Sequence, residues 1–486
     1  MKFIEVPKMG AIDMITHLNR AIVLSSLWVV ASISTASADW LDDFIAQQLN
    51  ERKIPGLSIA VLRDGEVLRA AGYGLANLEL QVPATMETVY EIGSISKQFA
   101  AEAVMLLVEE GKLNLDKSIV EYLPSNAPES WKPIRVRNLL NQTSGLKDWT
   151  EVKEFSYQRE YTSEEFIDLV SAFPLEFQPN EDWKYSNTNL PLVGIIVERV
   201  SGKSYEAFVS ERIFAPLGYP SIQFKHNGKI VSGRASGYVL REGRLEQGEP
   251  FRPKIIAPSG GVLANAVDLA RWWEAILKGR LLKATSLEQM LGPTKLNNGK
   301  IVSHGFAFFI DTFNGHKMIF HHGSTVGGFG SVVRYFPNEK LTIAVIGNLE
   351  DGGFGPEHIS KRIANFYIPG SYIGGLTKSE DSESSQLEQV HLELLREIAE
   401  NKPSPRLTAE YASRITPEFR ETTASNLKSL LTFEFLGREK IGDDHFMLER
   451  SLTEARYFKM TTGNRTYYYH FRCRDDGKFG VIFSEE

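Results

Sequence analysis

Cysteine is nearly absent: the 486 residues contain one, Cys473. A single thiol allows no internal disulfide and no thiolate cluster, so stability must rest on a packed core, with Cys473 an ordinary strand residue. Excess basic charge is missing too, since 54 Lys and Arg against 61 Asp and Glu leave a formal charge of −7. Without a broad basic surface, nucleic acid is set aside as a partner, and a small-molecule or peptide substrate is expected. The sequence has no G-x-S-x-G, no H-E-x-x-H and no G-x-x-x-x-G-K-[ST]. Lipase-type, zinc and nucleotide-binding chemistry therefore lack their signals, and neither a metal nor a cofactor is expected.

At the N-terminus, Lys2, Lys8 and Arg20 precede the apolar run AIVLSSLWVVASIS at residues 21–34, which Ala36-Ser37-Ala38 follows. That order predicts a cleaved secretory signal over residues 1–38, with Met9 and Met14 as alternative starts. The run is shorter than the ~20 residues of a spanning helix, so no stable membrane span is expected in the mature chain. No cysteine follows it to carry a lipid. The expected location is periplasmic or secreted.

Beyond the signal, GLSIAVLRDGEVLRAAGYG reads as two strands about an Asp64-Gly65 turn. From Ser94 to Glu110 the chain is apolar on nearly every side, which predicts a buried helix stopped by Gly111. Residues 113–300 read as mostly helical. The runs GFAFFI, KMIFHH, GSVVRYF and LTIAVIGN then alternate with turn signals, as consecutive antiparallel strands do. The predicted class is α+β, an antiparallel sheet built from both ends of the domain with a mostly helical middle region. This domain is expected over residues 39–369. An acidic, Ser-rich linker over 370–385 follows, then a helix and a small C-terminal β domain over 386–486, its β part from about Leu407.

Three short stretches can carry chemistry. Ser94 and Lys97 stand one helical turn apart, so a lysine that burial deprives of its proton can act as base for the serine hydroxyl. Tyr185-Ser186-Asn187 lies on a loop before a helix, where a phenol can relay a proton and an amide can hold a substrate carbonyl. In HHGSTVGGFGSVVRYFP, residues 321–337, glycines between two strands allow a substrate backbone to approach, and a strand N–H can complete an oxyanion hole with that of Ser94. His321 and His322 are adjacent on a strand and so point to opposite faces, which prevents them from chelating one metal.

In this order, and with the flanking phrases GKLNLDKSIVEYLP, LLNQTSGL, IFAPLGY and PSGGVLANAVDLARWW, the chain resembles the serine β-lactamase and penicillin-binding-protein superfamily, closest to its class C-like branch. The resemblance runs from about Ile54 to Tyr367. It implies a β-lactamase/transpeptidase-like fold with Ser94 as acylated nucleophile, Lys97 as its proton partner, Tyr185 as relay and Asn187 as a substrate amide contact. The third motif departs from the branch pattern. Counting back from Gly328-Phe329 selects His322 as the substrate-facing residue, with the oxyanion N–H from Thr325. Counting from Gly323 selects His321 instead, with the N–H of Ser324 and one residue inserted before Phe329. The first register is preferred. Gln142 in LLNQTSGL, where the branch has histidine, is taken as structural.

The implied activity is that of an exported serine hydrolase acting through an acyl-enzyme on an ester, an amide or a β-lactam. This covers esterase, D-amino-acid peptidase, D,D-carboxypeptidase and β-lactamase chemistry. A histidine in place of lysine in the third motif weakens a fixed charge for a substrate carboxylate, which favours esterase or peptidase over β-lactamase. The alternative from another class is a penicillin-binding sensor that keeps the fold and turns over poorly. Oligomeric state is not legible.

Overall fold

A computed structural model of the chain describes residues 36–225, 228–249, 251–252, 254–313, 315–350, 354–368, 379, 383–440, 452–463, 465–474 and 476–485. The apolar run at 21–34 and most of the expected 370–385 linker lie outside the described residues. Contacts divide the chain into residues 1–53 and 54–486. Within the first unit, Ala36–Glu51 forms helix α1.

The second unit opens with strands β1 (Gly56–Arg63) and β2 (Glu66–Asn77). They are joined at Asp64 (φ 52°) and Gly65 (φ 95°). Left-handed backbone at both turn residues is what a tight two-residue hairpin requires, and Asp-Gly tolerates it. Strand β3 (Val82–Pro83) then pairs with β2. The long apolar stretch forms a 3₁₀ turn, Gly93–Ser96, that runs into helix α2 (Lys97–Glu109). Helix α2 is buried from Lys97 through Leu107, as its all-round apolar sequence demands. Helices α3 (Asn189–Ser201) and α4 (Ala266–Leu277) follow.

Four strands return to the sheet: β4 (Phe309–Phe313), β5 (His316–Thr325), β6 (Phe329–Phe336) and β7 (Leu341–Gly347). The sheet order is β4-β5-β6-β7-β1-β2-β3, with every neighbouring pair antiparallel. Strand β7 lies beside β1, with Ala60 opposite Ala344, so the two ends of the domain close one sheet. Val333, Ala344 and Ile346 face the helical core with Trp272 and Trp273 of α4. The opposite face carries helix α5 (Phe354–Tyr367), to which Arg334 Nε reaches at Ser360 Oγ, 2.7 Å.

Beyond residue 383 come helices α6 (Ser384–Ala399) and α7 (Pro417–Lys428) and a second antiparallel sheet. Its strands, in order, are β8 (Leu430–Lys440), β9 (Leu452–Thr462), β10 (Thr466–Arg474) and β11 (Phe479–Glu485). Leu407 itself bridges Phe479 of β11, and the first long strand of this sheet, β8, waits until Leu430 because helices over Ala409–Arg414 and Pro417–Lys428 intervene. Thr416 accepts the Phe419 N–H at 3.1 Å ahead of Pro417, a helix-start signal that claims the intervening residues. Leu394, Leu395 and Ile398 of α6 pack with Phe435, Phe458, Phe471 and Cys473 in a core of their own. Cys473 is buried in its strand. Among the described residues no helix is long and apolar enough to cross a membrane.

Candidate active site

Ser94 sits on the 3₁₀ turn and Lys97 is the first residue of α2. In a 3₁₀ turn residues three apart eclipse one another, which brings the two side chains together more directly than an α-helix would. Lys97 Nζ lies 2.9 Å from Ser94 Oγ and 2.9 Å from the Ser259 carbonyl oxygen. Lys97 is 0% exposed, and burial pushes its ammonium down to about 7, against a smaller opposing pull from Asp148. The Ser259 carbonyl can only accept a hydrogen bond. A neutral Lys97 amine therefore donates to Ser259 and keeps its lone pair for the Ser94 hydroxyl.

Tyr185 completes this cluster. Its phenol hydrogen-bonds Ser94, burial holds it above its ordinary range, and its ring lies 5.1 Å from Lys97 Nζ. The loop bearing it is braced by Gln142, whose Oε1 accepts from the Ser186 N–H (2.9 Å) and from Asn189 Nδ2 (2.6 Å). Gln142 is fully buried with φ 64°, and its carbonyl accepts from the Lys184 N–H. The structural role expected of Gln142 thus has a specific form: it fixes the backbone on both sides of Tyr185.

Asn187 takes a position the sequence did not suggest. Its backbone N–H and its side-chain Nδ2 both donate to Asp148 Oδ2, at 3.0 and 2.9 Å. Asp148 is buried, and its other oxygen accepts from the Thr150 N–H at 2.9 Å.

The third motif lies on β5, and here the preferred register does not match the geometry. Alternation places Ile319, His321, Gly323 and Thr325 on one face of β5, and Phe320, His322 and Ser324 on the other. A Cβ added to Gly323 would lie 2.2 Å from the Ile92 oxygen and 3.0 Å from the Ser94 nitrogen, so the Gly323 face is the one turned to Ser94. His321 shares that face, fully buried, its ring 6.3 Å from that of Tyr185. His322 stacks on Phe309 and is held down to about 4 mainly by burial, with Glu357 of α5 opposing and Arg334 adding to the shift. That is the α5 face. The register running His321, Gly323, Ser324 is therefore the one that faces the nucleophile.

The oxyanion donor changes with it. Strand β4 pairs with β5 only as far as Phe320, so the edge over residues 321–325 has no strand on that side. The Thr325 carbonyl accepts from the Gly328 N–H at 3.0 Å across the β5–β6 turn, so its backbone groups point to β6. One residue earlier in the alternation, Ser324 turns its backbone to the free edge, where its nitrogen and oxygen would each lie 2.8 Å from a Cβ on Gly93. The Ser324 side chain points away, donating to Glu350 Oε1 at 3.2 Å. Gly93 itself has φ 53°.

His321 is a neutral group. Its Nδ1 lies 2.6 Å from the His322 carbonyl, which can only accept, so Nδ1 carries the proton and Nε2 offers a lone pair. Burial, with His322 and Lys97 adding smaller repulsions, holds its protonation well below the ordinary imidazole range. Among the described residues Nε2 is buried without a hydrogen-bond partner. No group of three or more His, Cys, Asp or Glu among them could hold a metal ion. Sequence reasoning missed Asp148 and Ser259. The phrases LLNQTSGLKDW and PSGGV that contain or abut them were visible, but their contacts span 39 and 162 residues.

Comparison with known proteins agrees with this geometry. The β-lactamase family profile matches residues 41–366. Protein flp of Staphylococcus aureus is 26% identical over 339 residues, 68% of each chain, and penicillin-binding protein 4* of Bacillus subtilis is 26% identical over 311 residues, 60% of this chain and 68% of that one. Among solved structures, an octameric penicillin-binding protein homologue from Pyrococcus abyssi covers 92% of this chain and 100% of its own (25% identity, TM-score 0.59). The D-amino acid amidase of Ochrobactrum anthropi covers 68% and 98% (22% identity, TM-score 0.60). With an α+β antiparallel fold and Ser94, Lys97 and Tyr185 gathered at one point, the chain belongs to the β-lactamase family and is a serine hydrolase of the β-lactamase/transpeptidase type.

Proposed function

We propose that this chain is an exported acyl-enzyme hydrolase of amides and esters, with Ser94 as nucleophile and Lys97 as its base. The observation that carries the reading is the 2.9 Å contact between Ser94 Oγ and a Lys97 amine whose burial brings it to about 7. In acylation, Ser94 Oγ bonds to the substrate carbonyl carbon while its proton passes to Lys97 Nζ. The developing oxyanion lies between the N–H groups of Ser94 and Ser324. The leaving group departs with a proton relayed through Tyr185. Water, deprotonated by the same Lys97 and Tyr185 pair, then cleaves the acyl bond and returns Ser94.

Substrate preference follows from His321. A neutral imidazole offers no fixed charge to a carboxylate, which favours amide and ester substrates over the carboxylate-bearing β-lactams and D,D-peptides. Neighbours with the fold include a D-amino acid amidase and EstCE1, described as a hydrolase with promiscuous acyltransferase activity. Export is supported by the charged, apolar and small-residue order of residues 1–38.

The test is a hydrolysis panel of p-nitrophenyl esters, amino-acid amides and nitrocefin, with wild type and Ser94→Ala. Ester and amide turnover lost in Ser94→Ala, with nitrocefin poor, is expected. A clean nitrocefin preference would overturn the substrate class, and turnover that survives Ser94→Ala would overturn the mechanism.

A further inference from the structure

We infer that a cavity beside the Gln142 turn is a second ligand site, separate from Ser94, and that it takes a small hydroxylated anion of the sugar-acid or sugar-phosphate class. The cavity encloses about 590 Å³, a size suited to one small molecule, and none of Ser94, Lys97, Tyr185 and His321 lines it. Its floor is set by hydrogen bonds that run in one direction. The Arg135 N–H donates to Asn138 Oδ1 (2.8 Å), which leaves Asn138 Nδ2 to donate to Thr143 Oγ1 (2.9 Å). The Thr143 hydroxyl, already accepting, gives its own proton to Asn141 Oδ1 at 2.7 Å. Asn141, the residue before Gln142, therefore presents its NH2. Asn141 lines the cavity and is only 5% exposed, and among the described residues its NH2 donates to no other group. A buried donor calls for an acceptor, and a ligand oxygen supplies one.

The walls carry the charge. Arg137 is spent on Asp116, which it holds with Nε and Nη2 at 2.5 and 2.9 Å. Arg135 and Lys295 stand exposed on the lining, where no Asp or Glu joins them, and among the described residues neither is in an ion pair. Carboxylate or phosphate oxygens are the partners with which these cations make their strongest hydrogen bonds. Asn180 adds the opposite polarity. It spends both NH2 protons on the Lys295 carbonyl (3.1 Å) and Asn297 Oδ1 (2.9 Å), which leaves its own Oδ1 to accept from a ligand hydroxyl. Pro133, Pro179 and Pro293 stiffen the wall, so little ordering is needed on binding.

Isothermal titration calorimetry of the full chain with glucuronate, glucose 6-phosphate and methyl glucoside tests this. Saturable binding of at least one of the two anions is expected, about tenfold tighter than that of the neutral glucoside, and the two anions tell carboxylate from phosphate. Asn141→Asp keeps an acceptor for the Thr143 hydroxyl and removes the donor, so anion affinity should fall about tenfold. Arg135→Gln and Lys295→Gln, both at exposed positions, should each weaken it roughly threefold. Absence of saturable binding of either anion overturns the inference. So does a glucoside that binds as tightly as the anions, or an anion affinity that all three variants leave unchanged in protein with a wild-type melting profile. Binding should also survive labelling of Ser94 with a fluorophosphonate. Loss of binding on labelling would put the anion in the catalytic site and overturn the separate one.

Discussion

Lys97 bears two opposed demands, burial and charge. With a folded value of about 7 against an unfolded value near 10.4, the unfolded chain binds the extra proton between these limits, so burial costs stability most fully below pH 7 and not at all above about pH 10.4. Lys97→Met should therefore raise the melting temperature more at pH 6 than at pH 9, while lowering kcat by roughly 10²- to 10⁴-fold. Paired thermal melts and ester kinetics check both halves. The same shift sets a pH limb. For an uncharged ester, kcat/KM should fall about tenfold per pH unit below about 7, because only unprotonated Lys97 accepts the Ser94 proton. A limb near pH 10 would mean an unperturbed lysine and would remove Lys97 as the base.

At the scale of elements, the site depends on β5 lying against the 3₁₀ turn with no side chain between them. A Cβ on Gly323 would fall 2.2 Å from the Ile92 oxygen and 2.6 Å from Ser331 Oγ, so one of the two segments must move. Gly323→Ala should displace the Ser324 N–H from Ser94 and lower kcat by about 10²- to 10³-fold, the usual cost of one oxyanion donor. Steady-state kinetics beside a thermal melt would separate this from unfolding. The elements themselves were legible. Asp64-Gly65 marked a hairpin, and the short apolar runs after Ser303 marked strands, GFAFFI only at its last two residues, because period-two alternation and turn chemistry are local signals. The face of β5 was not. His321 and His322 are equivalent on paper, and the choice between them depends on which side of the strand meets Ile92 and Ser94, a contact more than 200 residues distant in sequence. Asp148 was hidden for the same reason, since a lone aspartate has no local mark of the amide it will orient 39 residues later. The helix between Leu407 and β8 has a local mark of its own, Thr416 capping ahead of Pro417.

At the scale of the whole molecule, the two cores do not share a residue. The core around α2 and the first sheet ends at Ile346, and that of the C-terminal sheet runs from Leu394 to Ile482. A chain ending at Lys378 should therefore stay folded and keep Ser94-dependent ester hydrolysis within a few-fold of wild type. Loss of cooperative melting in the truncated chain would show that the catalytic part needs the C-terminal sheet. Across them, Arg472 of β10 lowers Asp311 of β4 against the burial that pushes its carboxyl up to about 6. All of these outcomes depend on which atom becomes acylated. Intact-protein mass spectrometry after a fluorophosphonate, followed by peptide mapping, reads that directly. One adduct on Ser94 is expected, absent in Ser94→Ala and formed far more slowly in Lys97→Met. An adduct on another residue, or none on the folded wild-type chain, would contradict it.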